Sequence, residues 1–513
     1  MEIIAGGKAL LLRLRNPKQV TTVIPKSQEL SANQVVVRWG IDEAHTLKSM
    51  NIKVPSPIDR HYVWTGQFKP MEHQKTTAAF LTMNKRAFCF NEQGTGKTAS
   101  SIWAADFLIK SGKVRRVLVI CPLSIMDSAW RNDLFSFAMH RTVSVAHGTP
   151  AKRKAIIKSG ADFVIINYDG VEVVLDEIIN GGFDLVIIDE ATHYKNVHTT
   201  RWKTLNKIVK PDTWLWLMTG TPAAQGPVDA YGLAKLVNPS GVPRYFGTFR
   251  DMVMRKVTQF KWEPKPTATD VVFNALQPAI RFTKEQCLDL PDLVYTKRDV
   301  DMTPQQMKYY NQLRTQMYMG LSSAAGVSAV NAAVMMNKLL QISAGAVYTD
   351  DGDAVQFDIT KRYNVLKEVI AESSQKVLIF VPFRHVIDVL SAKLRADGIS
   401  AEVIRGDVSA SNRTSIFKQF QEQPNPRVLI IQPQSAAHGV TLTAANTIVW
   451  WAPVPSLETY AQANARIHRS GQKHKCTIVQ LCGSPVEQRV YKQLDSKIDV
   501  HTKIIDLYKE LLD

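Results

Sequence analysis

The chain has 513 residues, of which 45% are hydrophobic, and its formal net charge at pH 7 is +17. Its length and hydrophobicity exclude a disordered polypeptide and leave room for about three domains of roughly 100 to 200 residues each. The charge favours a polyanionic partner, because basic side chains displace counterions from phosphates, although a merely soluble basic protein would show the same excess.

The cysteine content and the hydropathy of the chain indicate its cellular compartment. The five cysteines show no metal-ligand spacing, and their odd number argues against a disulfide framework. No apolar run approaches the roughly 18 residues needed to span a bilayer, and the apolar stretch at the start is too interrupted for a signal peptide. We therefore expect a soluble intracellular protein with no membrane partner, cytoplasmic in a bacterial or virus-infected cell and nuclear in a eukaryotic one.

Two stretches of the chain repeat one pattern, in which a short β-branched run is followed by a turn and a helix-like segment. This pattern predicts parallel sheets wrapped by crossover helices. The runs of the first half are Val117–Cys121, Phe163–Ile166, Leu185–Ile188 and Trp214–Met218. Those of the second half are Val377–Val381, Glu402–Ile404, Val428–Ile431, Thr447–Trp451 and Thr477–Leu481. The sequence therefore predicts an α/β fold with two sheet-containing lobes.

The remaining segments complete the predicted domain organisation. Residues 1–65 carry short strand-like pieces such as NQVVVRW and predict a small N-terminal accessory domain. A Met-, Gln- and Ala-rich stretch, including QQMKYYNQLRTQMYMG and VNAAVMMNKLLQ, predicts helices between the lobes. The predicted domains are thus 1–65, a first lobe at 66–235, a helical insertion at 236–365 and a second lobe with a C-terminal helix at 366–513.

A glycine-rich loop, NEQGTGKT at 91–98, follows the strand-like AFCF and precedes the helix-like ASSIWAADFLI. Backbone N–H groups of such a loop, together with the N-terminus of the following helix, can cradle phosphates, and a lysine can neutralise them. A chance GTGKT in a loop would not explain these flanks. The predicted ATP-binding residues of the loop are Gln93, Gly94, Thr95, Gly96, Lys97, Thr98 and Ala99, with the Thr98 hydroxyl on Mg²⁺.

VIIDEATHYKN at 186–196 ends a strand with two carboxylates. Asp189 can hold Mg²⁺ directly or through water, and Glu190 can orient and deprotonate the water that attacks the γ-phosphate. Taken alone, an Asp-Glu pair after a strand often caps a helix N-terminus. Its position after the glycine loop favours the catalytic interpretation.

These motifs resemble the Swi/Snf-type ATPases of helicase superfamily 2, and the resemblance covers about residues 65–500. The family's loop reads Asp-Glu-x-Gly-x-Gly-Lys-Thr, so Asn91 stands where Asp is usual. The resemblance implies two RecA-like lobes in tandem. It also implies that Gln74, in FKPMEHQ, contacts the adenine edge through its amide, where a surface glutamine is the alternative.

The stretch QANARIHRSGQ at 462–472 is similar to the family's sixth motif. Arg466 and Arg469 lie three residues apart, which on a helix places both on one face, and both could stabilise charge on the transferring phosphoryl group. A solvated arginine pair is the alternative for the spacing alone. Because Gln462, Gly471 and Gln472 are in register with the motif, the resemblance favours the catalytic interpretation.

Further motifs carry implied coupling and DNA-contacting roles. LMTGTPA at 217–223 is similar to the third motif, and QPQSAAHGVTLTAAN at 432–446 to the fifth. CPLSIMDSAW at 121–130 and INYD at 166–169 lie where the family's first lobe touches a DNA backbone. The residues implied to couple hydrolysis to DNA contact are Thr219, Gly220, Thr221, Gly439 and Gln462. Those implied to face DNA are Pro122, Ser124, Asn167, Tyr168 and Ser435.

Two positions depart from the family pattern. Thr192 stands where Asp-Glu-x-His has its histidine, with His193 one residue later, so we expect coupling between the second and third motifs to differ from the family's. Residues 454–456 read Val-Pro-Ser where the family usually presents Trp-Asn-Pro. The nearby Trp450 and Trp451 are assigned to the core strand rather than to DNA.

The predicted activity is ATP-dependent translocation on double-stranded DNA, extending to branched or forked DNA, with ATP and Mg²⁺ bound. The resemblance implies that ATP binds between the lobes, whose opening and closing would convert hydrolysis into steps along the DNA backbone. A strand-separating DNA or RNA helicase is the nearer alternative. A DNA-binding scaffold with a regulatory ATP site is the alternative from another class, and it predicts damaged catalytic residues, which the sequence does not show.

Overall fold

A computed structural model describes residues 1–223, 226–258, 262–287, 289–322, 329–348, 354–436 and 440–496. The chain divides into two compact units, one comprising Met1–Thr283 and the other beginning at Lys284. Each unit contains its own parallel sheet with helices beside it. The prediction of an α/β fold with two parallel sheets is therefore confirmed.

The strands are numbered along the chain. Those of the first unit are β1 (Glu2–Ile4), β2 (Ala9–Arg13), β3 (Gln28–Ser31), β4 (Gln34–Arg38), β5 (Arg86–Cys89), β6 (Val117–Cys121), β7 (Val143–Ala146), β8 (Phe163–Asn167), β9 (Leu185–Asp189), β10 (Trp214–Met218), β11 (Met254–Lys256), β12 (Trp262–Pro264) and β13 (Ala279–Ile280). Those of the second unit are β14 (Leu293–Asp299), β15 (Ala346–Tyr348), β16 (Ala354–Gln356), β17 (Lys376–Phe380), β18 (Ala401–Ile404), β19 (Val428–Ile431), β20 (Ala445–Trp450) and β21 (Cys476–Cys482).

The helices are numbered in the same way. Those of the first unit are α1 (Lys18–Val23), α2 (Ile41–Ser49), α3 (Ile58–His61), α4 (Glu72–Thr82), α5 (Lys97–Lys110), α6 (Asn132–Phe137), α7 (Pro150–Lys158), α8 (Tyr168–Val173), α9 (Leu175–Ile179), α10 (Thr200–Ile208), α11 (Ala230–Val237), α12 (Phe246–Val253) and α13 (Ala268–Ala275). Those of the second unit are α14 (Lys284–Cys287), α15 (Pro304–Ser322), α16 (Ala329–Ala344), α17 (Thr360–Glu372), α18 (Arg384–Ala396), α19 (Ala410–Glu422) and α20 (Leu457–Asn464), followed by a helix at 485–496.

The N-terminal residues form a four-stranded antiparallel sheet in the order β1-β2-β4-β3. Alternate residues of β2 and β4 point inward, as the two-residue period of a strand requires, and they bury a small core of their own. The following helix α2 reaches the rest of the unit, where His45 Nε2 hydrogen-bonds the carbonyl of Thr82 at 2.8 Å. The boundary predicted at residue 65 stays a prediction.

The large sheet of the first unit has the order β13-β5-β10-β9-β6-β8-β7, and every pairing in it is parallel. Strands β6, β8, β9 and β10 are buried at every position. Apolar cores pack against both faces, which explains why these strands are continuous hydrophobic runs rather than alternating ones. The four strands predicted from those runs are confirmed.

The second unit contains a parallel sheet in the order β14-β21-β20-β17-β19-β18. All five strands predicted for this half are present, each within two residues of its predicted ends. Two further apolar cores cover its faces. Trp450 and Trp451 are fully buried there, in agreement with their assignment to the core.

The range predicted as a helical insertion contains the expected helices α15 and α16. It also contains β13, which pairs with β5 of the first sheet, and β14, which pairs with β21 of the second. These strands were not predicted, and the boundary between the compact units follows residue 283, inside this range. The predicted limits of 236 and 365 stay predictions.

Within the described ranges, no helix is both long and apolar enough to cross a bilayer. The thiols of Cys89, Cys121, Cys476 and Cys482 are buried and free. Burial raises the pKa of Cys89, Cys476 and Cys482 to about 11, so these thiols are protonated at neutral pH.

Candidate nucleotide-binding site

Neighbouring strands of the first sheet end in the predicted motifs. β5 leads into the glycine loop, β10 into Thr219, and β9 ends at Asp189, and these three strands are adjacent in the sheet. Because parallel strands have their carboxyl ends at one edge, the topology brings the three motifs together. The sheet therefore forms the kind of edge at which open α/β proteins bind ligands.

The glycine loop adopts a conformation that side chains disfavour. Gly94 and Gly96 have φ of 87° and 82°, and a Cβ at Gly96 would overlap Nε2 of Gln74. Helix α5 begins at Lys97, so Thr98 and Ala99 lie in its first turn. The loop and this helix N-terminus give the backbone geometry expected of a phosphate cradle.

The base of the loop is fixed by buried polar contacts. Lys97, which is 9% exposed, donates from Nζ to the carbonyls of Asn91 at 2.8 Å and Glu92 at 3.2 Å. Asn91 donates from Nδ2 to Thr77 Oγ1 at 2.8 Å and accepts from the backbone of Phe282 at 3.0 Å. An amide both donates and accepts, whereas an ionised Asp only accepts, so Asn suits the two contacts found here.

Two side chains of α4 contact the glycine loop at the carbonyl of Thr95. Gln74 donates from Nε2 to the carbonyl of Thr95 at 3.4 Å and accepts from the backbone of Met71 at 3.0 Å. His73 Nε2 hydrogen-bonds the same Thr95 carbonyl at 2.8 Å. Gln74 thus lies at the loop as predicted, and its adenine contact stays a prediction. His73 was not predicted, although it lies beside Gln74 in FKPMEHQ.

Asp189 is held at the end of β9 by two donors. Its Oδ2 accepts from the indole of Trp130 at 3.0 Å, and its Oδ1 accepts from the backbone of Glu190 at 3.0 Å. Burial raises the pKa of Asp189, against the opposing effects of the Lys97 ammonium and the Trp130 hydrogen bond. Trp130 is the last residue of the motif at 121–130, but its contact with Asp189 was not predicted.

Glu190 turns toward the glycine loop through an unusual backbone conformation. Its φ of 50° lies in the left-handed region, which non-glycine residues seldom occupy away from functional sites. Its Oε1 accepts from Nε2 of Gln93 at 3.4 Å. The hydroxyl of Tyr168 donates to the Asp189 carbonyl at 2.6 Å and fixes the backbone just before this turn.

The third motif continues from β10 beside the loop. Thr219 is fully buried and donates its backbone N–H to the carbonyl of Cys89 at 3.1 Å. Its Oγ1 accepts from the backbone of Thr221 at 3.1 Å. The carbonyl of Gly220 accepts from the guanidinium of Arg281 at 3.2 Å, a residue that was not predicted.

In the second unit, the sixth motif differs from the prediction in one respect. Helix α20 ends at Asn464, so Arg466 and Arg469 lie in the turns that follow it and not on one helical face. Beyond the helix, the Arg466 amide donates to the Ala463 carbonyl at 3.1 Å, three residues back, and the Arg466 carbonyl accepts from the backbone of Leu442 at 3.0 Å. Both guanidinium groups nevertheless donate to the Val440 carbonyl, at 3.1 and 3.2 Å.

Two glutamines of that motif have structural contacts. Gln462 is 3% exposed and donates to Glu458 Oε1 at 3.3 Å. Gln472 donates from Nε2 to the carbonyls of Ala445 at 2.9 Å and Ile467 at 3.1 Å. Gln472 thus ties the motif to the start of β20. Gly439, predicted as a coupling residue, lies outside the described residues.

The residues predicted to face DNA differ in exposure. Ser124 is exposed, Ser435 is partly exposed and Pro122 is buried. Asn167 accepts from Arg153 at 2.9 Å, and Tyr168 is 8% exposed with its hydroxyl directed inward. Contacts of these residues with DNA stay predictions.

The side chains gathered in the first unit fit ATP with a divalent cation. The loop offers backbone N–H donors at the N-terminus of α5, the Gln74 amide lies against Gly96, and Lys97 supplies a nearby cation. The Asp189 carboxylate is an oxygen ligand of the type that Mg²⁺ prefers. This combination is what a site for ATP hydrolysis requires.

Comparison with known proteins identifies the family. The model of the SNF2-related domain matches residues 73–345, which is more than half of the chain, and the model of the helicase conserved C-terminal domain matches residues 361–471. The chain therefore belongs to the SNF2-related family. The resemblance drawn from its motifs is confirmed.

Similar proteins come from several sources. An uncharacterized ATP-dependent helicase of Mycoplasma genitalium is 25% identical over 427 residues, covering 81% of this chain and 40% of that protein. Protein p41 of the Acyrthosiphon pisum secondary endosymbiont phage 1 is 25% identical, covering 78% of this chain and 88% of that protein. The chromodomain-helicase-DNA-binding protein 1-like of Danio rerio is 23% identical over 83% of this chain and 43% of its own length.

Among solved structures, one that is similar is the Sulfolobus solfataricus SWI2/SNF2 ATPase core in complex with dsDNA, with 21% identity and a TM-score of 0.42. The match covers 86% of this chain and 94% of that chain. The chain spans less than half the length of the Mycoplasma and Danio relatives.

Proposed function

We propose that this chain is an ATP-driven motor that moves along double-stranded DNA. The observation that carries the proposal is that Lys97, after β5, and Asp189 and Glu190, after β9, lie at one edge of the sheet, where Gln93 of the loop contacts Glu190 at 3.4 Å. The membership of the chain in the SNF2-related family supports a coupled motor over a simple phosphatase. Its net charge of +17 and a relative whose name includes DNA binding support a nucleic-acid partner.

The residues of the first unit would have distinct roles in ATP hydrolysis. The glycine loop and Lys97 would bind the phosphates, and the Gln74 amide would contact the adenine edge. Thr98 and Asp189 would hold Mg²⁺, which when bound neutralises charge on the phosphate oxygens. Glu190 would orient the attacking water and take its proton, a role for which its side chain is already directed toward the loop.

The second unit contributes Arg466 and Arg469 to this proposal. Their guanidinium groups converge on one carbonyl, that of Val440, and so lie close to each other. We assign them to stabilising the transferring phosphoryl group, as the family resemblance implies. Thr219, Gly220, Thr221, Gln462 and Gly439 would link hydrolysis to contacts with DNA made by Pro122, Ser124, Asn167, Tyr168 and Ser435.

The first test is steady-state ATP hydrolysis by the wild-type protein and by Glu190→Gln, each with no nucleic acid, duplex DNA, single-stranded DNA, forked DNA or RNA. We expect duplex or forked DNA to stimulate the wild-type protein, and Glu190→Gln to lower the stimulated rate by about 100-fold or more. Glu177→Gln is a matched control, because Glu177 pairs with Lys154 at 3.0 Å on the distant helix α9.

A second measurement separates movement from hydrolysis alone. Displacement of a third strand from a triplex by the wild-type protein reports travel along a duplex without requiring that its strands separate. We expect ATP-dependent displacement by the wild-type protein and none by Glu190→Gln. Stimulation by RNA only would indicate an RNA enzyme, and unwinding of a forked duplex would indicate a strand-separating helicase. Absence of hydrolysis with every nucleic acid would refute the motor.

A further inference from the structure

A buried arginine that none of the predicted motifs contains lies at the base of the glycine loop. Arg281 is 2% exposed, and its Nη1 donates to the carbonyls of Phe90 at 2.7 Å and Gly220 at 3.2 Å. Its Nη2 lies 3.3 Å from the Glu92 carboxylate. One side chain thus bonds both the entrance of the glycine loop and the third motif.

The backbone around Arg281 runs alongside the same part of the loop. The amides of Phe88, Phe90 and Glu92 donate in turn to the carbonyls of Pro278, Ile280 and Phe282, at 2.9, 2.8 and 2.9 Å. The strand pairing of β13 with β5 therefore continues past the end of β5 into the loop. Residues 278–283 and 88–92 are consequently held as one ribbon.

Lys97 binds the same short stretch of backbone. Arg281 holds the carbonyl of Phe90, and Lys97 holds the carbonyls of Asn91 and Glu92. Two buried cations therefore fix three consecutive carbonyls. If Lys97 moves toward a phosphate, it releases the carbonyls of Asn91 and Glu92. These carbonyls directly follow that of Phe90, which Arg281 connects to Gly220.

The position of Arg281 in the chain adds a further consequence. Two residues after it, at Thr283, the chain leaves the first compact unit, and Lys284 begins the second. Residues 278–283, which pair with residues 88–92, therefore continue covalently into the second unit. A change at residues 90–92 can reach that connection through the hydrogen bonds from Phe90 to Ile280 and from Glu92 to Phe282.

We propose that Arg281 is a positioning residue that makes the glycine loop, the third motif and the chain leaving the first unit respond to nucleotide together. Its planar guanidinium can bond two carbonyls and a carboxylate at once, whereas a lysine is a point charge that lacks this fork geometry. The inference rests on the proposed function, since it assigns Arg281 a part in the same ATP site.

Kinetics of Arg281→Lys test the role without removing the charge. We expect the DNA-stimulated kcat to fall about tenfold or more, because small misplacements at a reacting centre are costly, while KM for ATP changes less than about threefold. Arg86→Lys is the matched control. Arg86 also donates to two carbonyls, those of Leu236 and Lys210, but from the opposite end of β5. We expect it to keep the wild-type kcat and KM.

Hydrogen–deuterium exchange gives a readout that a merely structural role would not change. In the wild-type protein, a non-hydrolysable ATP analogue should slow exchange at 94–98, at 219–221 and at 280–283. In Arg281→Lys, the slowing should persist at 94–98 and be lost at the other two segments. Glu92→Gln, which weakens the ion pair and keeps the backbone bonds, serves if Arg281→Lys does not fold, and it should show the same loss in part.

The outcomes distinguish this inference from the proposed function. Equal slowing at all three segments in Arg281→Lys and Glu92→Gln, or no slowing at 219–221 and 280–283 in the wild-type protein, overturns the inference even if DNA stimulates hydrolysis. Selective loss of slowing at those two segments supports the inference even if no nucleic acid stimulates hydrolysis. The absence of stimulation would refute only the motor.

Discussion

The indole of Trp130 donates a hydrogen bond from Nε1 to Oδ2 of Asp189 at 3.0 Å. Trp130 is fully buried in a π-helical turn, Met126–Arg131, that follows β6, the strand next to β9. The bond fixes one oxygen of the carboxylate assigned to Mg²⁺. Groups that orient a metal ligand in this way tune the affinity of the site.

Replacing Trp130 by Phe removes this donor and keeps an aromatic ring. We expect the Mg²⁺ concentration that gives half-maximal ATP hydrolysis to rise about 10-fold or more, because loss of such an orienting partner typically weakens metal sites by roughly 10- to 100-fold. The measurement is a Mg²⁺ titration at saturating ATP.

Trp103→Phe is the matched control for this substitution. Trp103 is also buried, and its indole donates to the Thr65 carbonyl at 2.9 Å, away from the site. We expect Trp103→Phe to lower stability without changing the Mg²⁺ dependence. An equal change in both variants would show that the effect arises from packing.

The strands that carry the site could be predicted from the sequence because they are buried on both faces. Each of β6, β8, β9 and β10 is an unbroken apolar run that ends in a turn or a polar residue. By contrast, β14 alternates exposed and half-buried residues at the edge of its sheet, and β13 has only two residues. Neither has the hydrophobic run that marks an interior strand, so both were missed.

The sequence motifs could also be recognised, but the contacts that support them could not be predicted. The roles of Arg281 and Trp130 depend on a carbonyl and a carboxylate brought near by the fold, and such partners leave no pattern in the sequence. The helix predicted through Arg466 and Arg469 was wrong for a similar reason. A tertiary bond from Leu442 to the Arg466 carbonyl follows the end of α20, and spacing alone does not reveal it.

Gly96→Ala should weaken nucleotide binding, because the new Cβ would displace the Gln74 amide that lies against the loop. The φ of 82° disfavours any side chain by about 1–2 kcal/mol, and the new Cβ would also overlap Nε2 of Gln74. Gly112→Ala is the matched control, because Gly112 has a φ of 69° but open space around its Cβ position. We expect both variants to lose similar stability and only Gly96→Ala to bind a fluorescent ATP analogue more weakly. Unchanged binding by Gly96→Ala would contradict the proposed phosphate cradle.

Asp106 of α5 should make the first unit sensitive to acid. Burial alone would raise the pKa of this carboxyl, but hydrogen bonds from Tyr62, Lys110 and Arg141 outweigh burial and hold the pKa below its ordinary value. A lowered folded-state pKa means that the stabilisation is fully present above the unfolded-state pKa of about 4 and is lost as the pH falls through the folded-state value.

Urea unfolding of the wild-type protein and Asp106→Asn between pH 7 and pH 3 tests this expectation. At pH 7, Asp106→Asn should be less stable by about 3 kcal/mol or more, because Arg141 loses its buried partner. The difference should stay constant down to about pH 4 and shrink below it. A difference that does not vary over the whole range would rule out the charge of Asp106 as its source.

A buried ion pair should stabilise the second unit far more than an exposed pair of the same residue types. Arg362 Nη2 donates to both carboxylate oxygens of Glu487, at 2.8 and 2.9 Å, and both side chains are almost fully buried. Glu487 also accepts from the backbone of Gly483 at 2.7 Å. Glu487→Gln leaves the guanidinium without its counter-charge, so we expect a loss of about 3–5 kcal/mol in the free energy of unfolding.

Arg298 and Glu372 provide the matched exposed pair, since they lie 2.7 Å apart with side chains that are 42% and 56% exposed. We expect Glu372→Gln to cost less than about 1 kcal/mol, because solvent screens the pair. Combining Arg362→Met with Glu487→Met should restore part of the stability lost in Glu487→Gln, because no unpaired charge then remains buried. If the double variant is no more stable than Glu487→Gln, the unpaired buried charge is not the source of the loss in Glu487→Gln.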